Sequence, residues 1–330
     1  MLSEPRGLGG APQFSVLLPT HNRADVLEVA IRSVLAQTLE DFELLAVGDG
    51  CTDHSKDVVA GIQDARIRWF DLPKAPHFGY ANRNRALRKA RGTYVAYMQH
   101  DDLWFPDHLE LLARAFDNSD VEFAYTLPLW IAPDGGLAPL DFDLNDPDAR
   151  NTFLRMQRNV IPSNCVAHRR DCLDRHGYWN EDLPNCGDWD LWARIIRGGG
   201  RRNVGVVRVP SGLHFRAIWR TSDAVPELRV WNALHKVPGV LPPKMRLGGR
   251  DRVSQQLAVW KRLAESPDWI RNLRESLPYA RSRFRLVCRI RNLRESARSR
   301  LRMVCGIRCG RSSRTHSRGC PGREHKTPCG

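Results

Sequence analysis

The sequence contains no run of 18 apolar residues, so no membrane-spanning helix is expected. Its first residues, MLSEPRGLGGAPQ, lack the apolar core of a secretory signal, and the expected location is the cytoplasm. A glycine- and lysine-rich phosphate loop is missing too, which argues against a nucleotidyltransferase. Most of the chain also lacks net charge. The formal charge is +14, yet residues 271–330 hold 17 Lys+Arg and 3 Asp+Glu, and 17 − 3 accounts for all of it. The neutral body argues against a nucleic-acid-binding protein, although the tail keeps that alternative open. Cysteine is sparse in the body, at Cys51, Cys165, Cys172 and Cys186, while Cys288, Cys305, Cys309, Cys320 and Cys329 crowd the tail. With no secretory signal, the body cysteines read as reduced and packed.

What is present is enough for a substantial core: 330 residues, 42% of them hydrophobic. Apolar runs at 14–19, 42–47, 67–72, 94–98 and 122–127 read as strands. Between them, 24–37, the stretch from Thr52, 79–91 and 106–116 carry apolar residues at helical spacing. This alternation predicts an α/β fold with a mainly parallel sheet and helices on both faces. Residues 188–199 read as a helix ended by glycines, and a strand follows at 203–209. Residues 223–270 look helical, with a break at PGVLPPK. The tail repeats itself, with IRNLRES at 270–276 and again at 290–296.

The polar clusters fall where strands end. PTHNR (19–23), GDGCTD (48–53) and QHDDLW (99–104) follow the first, second and fourth strands. In open α/β sheets, ligands bind beyond the carboxyl ends of the strands. Asp101 and Asp102 are adjacent carboxylates that repel each other unless a cation lies between them. A hard divalent ion suits two acids in such a crevice and commonly brings phosphates with it.

These clusters, with GYANRNRALRKARGTYVAYMQHDD (79–102), CGDWDLWAR (186–194) and His214 in GLHFR, resemble the motifs of family 2 glycosyltransferases in order and spacing. The resemblance covers about residues 13–222. It implies a GT-A (Rossmann-like) nucleotide-sugar-binding fold, with 1–12 a flexible N-terminus. A helical C-terminal extension (223–270) and a basic, Cys-containing tail (271–330) would follow. It also implies direct, inverting transfer of a sugar from a UDP-, dTDP- or GDP-sugar to a saccharide or lipid-linked acceptor.

By the resemblance, Asp49 would bind the nucleotide base, with Pro19 and His21 lining that pocket and Arg23 beside it. Asp101 and His214 would hold Mn²⁺ or Mg²⁺, with Asp102 supporting ribose or metal. Arg83 and Asn84 would face the donor, Asp188 would be the general base, and Trp189 could stack on an acceptor sugar. The family often carries an acid where this chain has Gly48, Gln99 and Gly187, which keeps open a catalytically inactive binding module. The plainer readings are a turn for Asp49, a helix cap for Asp101–Asp102, a helix-terminus charge for Asp188 and core packing for His214 and Trp189. Peripheral contact with an anionic membrane, zinc binding and disorder are the readings of the tail.

Overall fold

The computed structural model describes residues 10–132, 134–200, 202–215, 226–249, 251–266 and 268–308, with side chains described to 289. The first unit is β1 (Phe14–Thr20), α1 (Ala24–Leu35), β2 (Phe42–Asp49), α2 (Ser55–Gly61) and β3 (Ile67–Leu72). Every residue of β1 and β2 is buried, as expected for strands covered on both faces. Helix α1 buries Val26, Leu27, Ala30, Ile31 and Val34, one apolar stripe at helical spacing. Next come α3 (Tyr80–Leu87), β4 (Tyr94–Tyr97), β5 (Leu103–Trp104), α4 (His108–Ala115) and β6 (Phe123–Thr126). A β-ribbon follows, β7 (Leu129–Ile131) and β8 (Leu137–Pro139), then α5 (Pro147–Leu154), β9 (Val166–Arg169) and α6 (Cys172–His176). Helix α7 (Gly187–Gly198), β10 (Val204–Val207) and β11 (Gly212–Leu213) complete this part, and α8 (Pro226–His235), α9 (Arg252–Glu265) and α10 (Trp269–Arg308) end it.

Seven strands form one sheet in the order β10-β6-β9-β4-β1-β2-β3. All neighbouring pairs are parallel except those of β9, which runs antiparallel to both β4 and β6. The alternation in the sequence carried no sign of this reversed strand. The chain moves outward from β1 to β2 and β3, then returns to lay β4 on the other side of β1. That reversal leaves a crevice beyond the carboxyl ends of β1 and β4, where loops diverge instead of crossing.

The tail departs from its expectation as a segment apart from the body. Helix α10 starts at Trp269 and passes the expected 270/271 boundary without interruption. Trp269, Leu273, Leu277 and Ala280, three or four residues apart, are buried against the body. Arg274 donates twice to Asp107, at 2.6 and 2.8 Å, and also to the Pro210 carbonyl. The first turns of the helix therefore belong to the core. The expected 222/223 boundary, the zinc reading beyond Arg308 and nearly all of the expected flexible N-terminus lie outside the described residues. Among the described residues, no helix is long and apolar enough to cross a membrane. Cys165 and Cys172 are buried, and Cys51 and Cys186 are half-buried.

Candidate active site

Because β1, β2 and β4 are parallel neighbours, the polar segments that follow them emerge at one edge of the sheet. The first two are laced together. Asn22, with φ of 51°, accepts from the Thr52 and Asp53 N–H groups, and Asp53 accepts from the Ala24 N–H at 2.9 Å. Pro19 is buried within β1 and its carbonyl accepts from His100 Nδ1 at 3.2 Å, while His21 is exposed at the loop tip. Arg23 pairs with Asp25 and reaches to 4.0 Å from Asp101.

Asp49 ends β2 and is buried. Its carboxylate accepts from Lys74 Nζ at 2.5 Å, the Ala75 N–H at 2.9 Å and Asn82 Nδ2 at 2.7 Å. Burial works against its charge, but these three donors outweigh it and hold the carboxyl below the usual range. Lys74 and Asn82 carried no signal in the sequence; they are identified only by this convergence.

Asp101 and Asp102 part company. Asp101 lies against Arg252, the first residue of α9, and near His100 and Arg23. Burial opposes its ionisation, and the neighbouring His100, Arg252, His214 and Arg23 overcome this and keep it below the usual carboxylate range. Burial also pushes His100 down, and the Arg252 guanidinium is the cation bonded directly to Asp101. Asp102 is fully buried, accepting from the Phe215 N–H at 2.9 Å and pairing with His214 Nδ1 at 3.0 Å. Burial raises it, against the pull of His214. Asp102, expected to support ribose or metal, faces inward onto His214 and the Phe215 N–H. A carboxylate that holds one imidazole nitrogen fixes the tautomer and leaves Nε2 for a metal. The donor set, one carboxylate oxygen and one imidazole nitrogen, fits Mn²⁺ or Mg²⁺ completed by phosphate oxygens. The guanidinium against Asp101 has the sign of charge that such an ion would bring.

Helix α3 connects this region to α7. Tyr80 Oη accepts from the Gly187 N–H at 3.0 Å, and the Arg83 guanidinium stacks on Tyr80 and Trp179 at 5.2 and 4.9 Å. Asn84 is corrected as a donor-facing residue. Its amide is used on the Trp179 carbonyl and N–H and on Glu181, so it ties the 179–181 segment down. Of the two readings of Trp189, the packing is that of a core residue: it is buried, packs on Phe153 and donates to the Phe153 carbonyl at 2.9 Å. Asp188, half-buried at the start of α7, accepts from the Trp189 N–H at 2.8 Å. Asp190 is held by Arg194 through two bonds of 3.0 and 2.9 Å, which marks it as structural.

Each missing acid has a replacement in space. A Cβ at Gly48 would lie 2.5 Å from the Trp69 ring, and one at Gly187 2.7 Å from Tyr80. Gln99 donates to Ser163 at 2.6 Å. The tight turn before α7 is made by Cys186, at φ of 55°, and Gly187 is required by the Tyr80 ring.

A second acidic group lies at the other end of the sheet. Among the described residues, Glu122, Cys172 and His176 bring ligand atoms within 4.8 Å of one another, beside a cavity of about 750 Å³. Arg175 bonds Glu122 and sits 3.2 Å from Cys172 Sγ, so a cation already occupies the group. Burial pushes the Cys172 thiol up to about 12, away from the thiolate a metal needs.

The family described as Glycosyl transferase family 2 matches residues 15–174. The teichuronic acid biosynthesis glycosyltransferase TuaG of Bacillus subtilis (strain 168) is 33% identical over 193 residues, 57% of this chain and 73% of that protein. The chain belongs to glycosyl transferase family 2. As a glycosyltransferase it is also similar to the Escherichia coli enzyme WfgD, a UDP-Glc:α-D-GlcNAc-diphosphoundecaprenol β-1,3-glucosyltransferase. That likeness is 31% over 111 residues, 34% of this chain and 44% of the relative. Among solved structures, S. aureus TarS superposes with a TM-score of 0.52 at 17% identity, covering 82% of each chain, which supports the GT-A fold.

Proposed function

We propose that this glycosyltransferase moves a sugar from a nucleotide-diphosphate donor to a hydroxyl acceptor by direct displacement with inversion. The observation that carries the reading is the pairing of Asp49 and Asp101. Both are buried, held as carboxylates, and set beyond the ends of parallel strands that flank β1. Asp49, fixed by Lys74, Ala75 and Asn82, accepts from the base of the nucleotide. Asp101 and His214 would hold a divalent ion. When bound, such an ion absorbs the negative charge that develops on the departing diphosphate. Asp188 takes the proton of the acceptor hydroxyl as the new bond forms. Asp190 is the weaker candidate, because Arg194 donates twice to its Oδ2.

The names of TuaG and WfgD support a role in cell-wall or polysaccharide biosynthesis, and WfgD makes a UDP-sugar the first donor to try and a lipid-linked saccharide the first acceptor. A cytoplasmic enzyme meeting its acceptor at the inner face of a membrane fits the basic end of α10. The experiment is a thermal-shift screen of UDP-, dTDP- and GDP-sugars with and without Mn²⁺, followed by assay of the hit for transfer and hydrolysis. A donor that stabilises the protein only with Mn²⁺, and whose product carries the inverted anomer, is the expected result. Stabilisation without any turnover would leave a binding module in place of an enzyme.

A further inference from the structure

Arg252 lies 151 positions beyond Asp101 in the chain and is its direct partner. Its side chain is only 12% exposed, and that of Asp101 8%. The helix that carries it is well anchored. Asp251 and Ser254 form a reciprocal cap at its start, and Gln256 one turn on approaches the Asp102 carbonyl at 3.4 Å. Helix α9 therefore sets a fixed positive charge on the carboxylate that a metal would use. We propose that Arg252 is the resident counter-cation of Asp101 and is exchanged for the metal only when a nucleotide diphosphate arrives. This rests on the reading of Asp101 as a metal ligand.

The charge balance drives the exchange. Arg23, 4.0 Å from Asp101, is already matched by Asp25. A dication entering alone would add two positive charges beside a carboxylate that Arg252 has already balanced. The displaced guanidinium would then give up the carboxylate it donates to while still largely shielded from water, which is unfavourable. A diphosphate changes both terms. Its oxygens complete the coordination, and a planar guanidinium, with donors matched to phosphate oxygens, finds a new partner. Metal and nucleotide then bind with positive coupling, each raising the affinity of the other by the same factor.

Binding of Mn²⁺ followed by its EPR signal, with and without UDP, tests this on the full chain. In the parent, Mn²⁺ alone binds weakly and UDP tightens it at least about tenfold. In Arg252→Gln, which keeps a hydrogen-bond donor and leaves the Asp251 cap intact, Mn²⁺ alone binds about tenfold more tightly and the tightening by UDP shrinks. Arg252→Lys, which keeps the charge, behaves like the parent toward Mn²⁺ alone. A melting curve of each variant shows whether it is folded. Should Arg252→Gln fold poorly, Arg252→Lys and Arg252→Met carry the comparison. If the parent binds Mn²⁺ with UDP but Arg252→Gln binds free Mn²⁺ no more tightly than the parent, the counter-cation idea is wrong and the metal reading stands. If the parent binds no Mn²⁺ even with UDP, both fall.

Discussion

At the scale of single residues, the two acids of α7 offer the sharpest division of labour. Among the described residues, Asp188 accepts a bond from the N–H beside it alone, whereas Asp190 is clamped by Arg194, which also donates to the Gly177 and Tyr178 carbonyls. Asp188→Asn keeps the shape of the side chain and removes its capacity to take a proton. Turnover is expected to fall by about 10²–10⁴-fold with donor affinity unchanged. Asp190→Asn should leave turnover close to the parent's and cost about 1 kcal/mol of stability, because only a partly exposed ion pair is lost. Turnover, donor affinity and urea unfolding of both variants decide the matter. An inactive Asp190→Asn beside an active Asp188→Asn would move the base two residues along.

At the scale of elements, α10 runs from a packed start into a strongly basic stretch. Its first turns are packed, and residues 290–330 hold 11 Lys+Arg and 2 Asp+Glu, a net of 11 − 2 = +9. Deleting 271–330 would remove Leu273, Leu277 and Ala280 from the core and leave Asp107 without Arg274, so the expected outcome is loss of folding. Ending the chain after Arg289 should leave the melting temperature and donor hydrolysis unchanged. It should weaken binding to anionic vesicles, by about 1 kcal/mol for each basic residue that reaches the surface. Leu273→Ala is the single-residue version, with an expected cost of about 2–5 kcal/mol in urea unfolding. Unaltered vesicle partitioning of the shortened chain would remove the membrane role from this helix.

At the scale of the whole molecule, buried histidines set the response to acid. His108 is stacked on Trp104 and bonded to Ser211, and burial pushes it down to about 3. His168, in the reversed strand β9, is bonded to Tyr97 and to the Arg169 carbonyl, and burial pushes it down to about 4. In the unfolded chain both bind a proton below about pH 6.5. The unfolded state then holds more protons than the folded one, so stability is complete above about 6.5 and falls as the pH drops toward 4. His168→Gln, which can still bond Tyr97, should flatten this decline by about one proton, or ~1.4 kcal/mol per pH unit. Urea unfolding at several pH values between 4 and 7 measures it. An unchanged slope would mean that His168 is protonated in the folded protein.

Much of the framework was legible in the sequence because it is written locally. Apolar runs and helical spacing marked the βαβ units, and four motifs in order marked the family, so Asp49, Asp101, Asp188 and His214 could be singled out from residue type and position alone. Which way a side chain turns depends on what the rest of the chain leaves free. Asp102 faces inward because His214 and Phe215 come back 112 and 113 residues later to meet it. Trp189 became core because Phe153 offers it a carbonyl, and Asn84 became a tie because Trp179 and Glu181 lie across from it. The missing acids at 48 and 187 gave no hint that Trp69 and Tyr80 fill their space. Arg252 had no motif around it, and its place on Asp101 exists only because α9 docks beside α1. The sequence alone determined which apolar runs become strands in the first half of the chain and which acids follow them. Tertiary structure decided which acids are paired, which are buried and which cation each one meets, since burial and charge compensation arise from contacts between segments far apart in the chain.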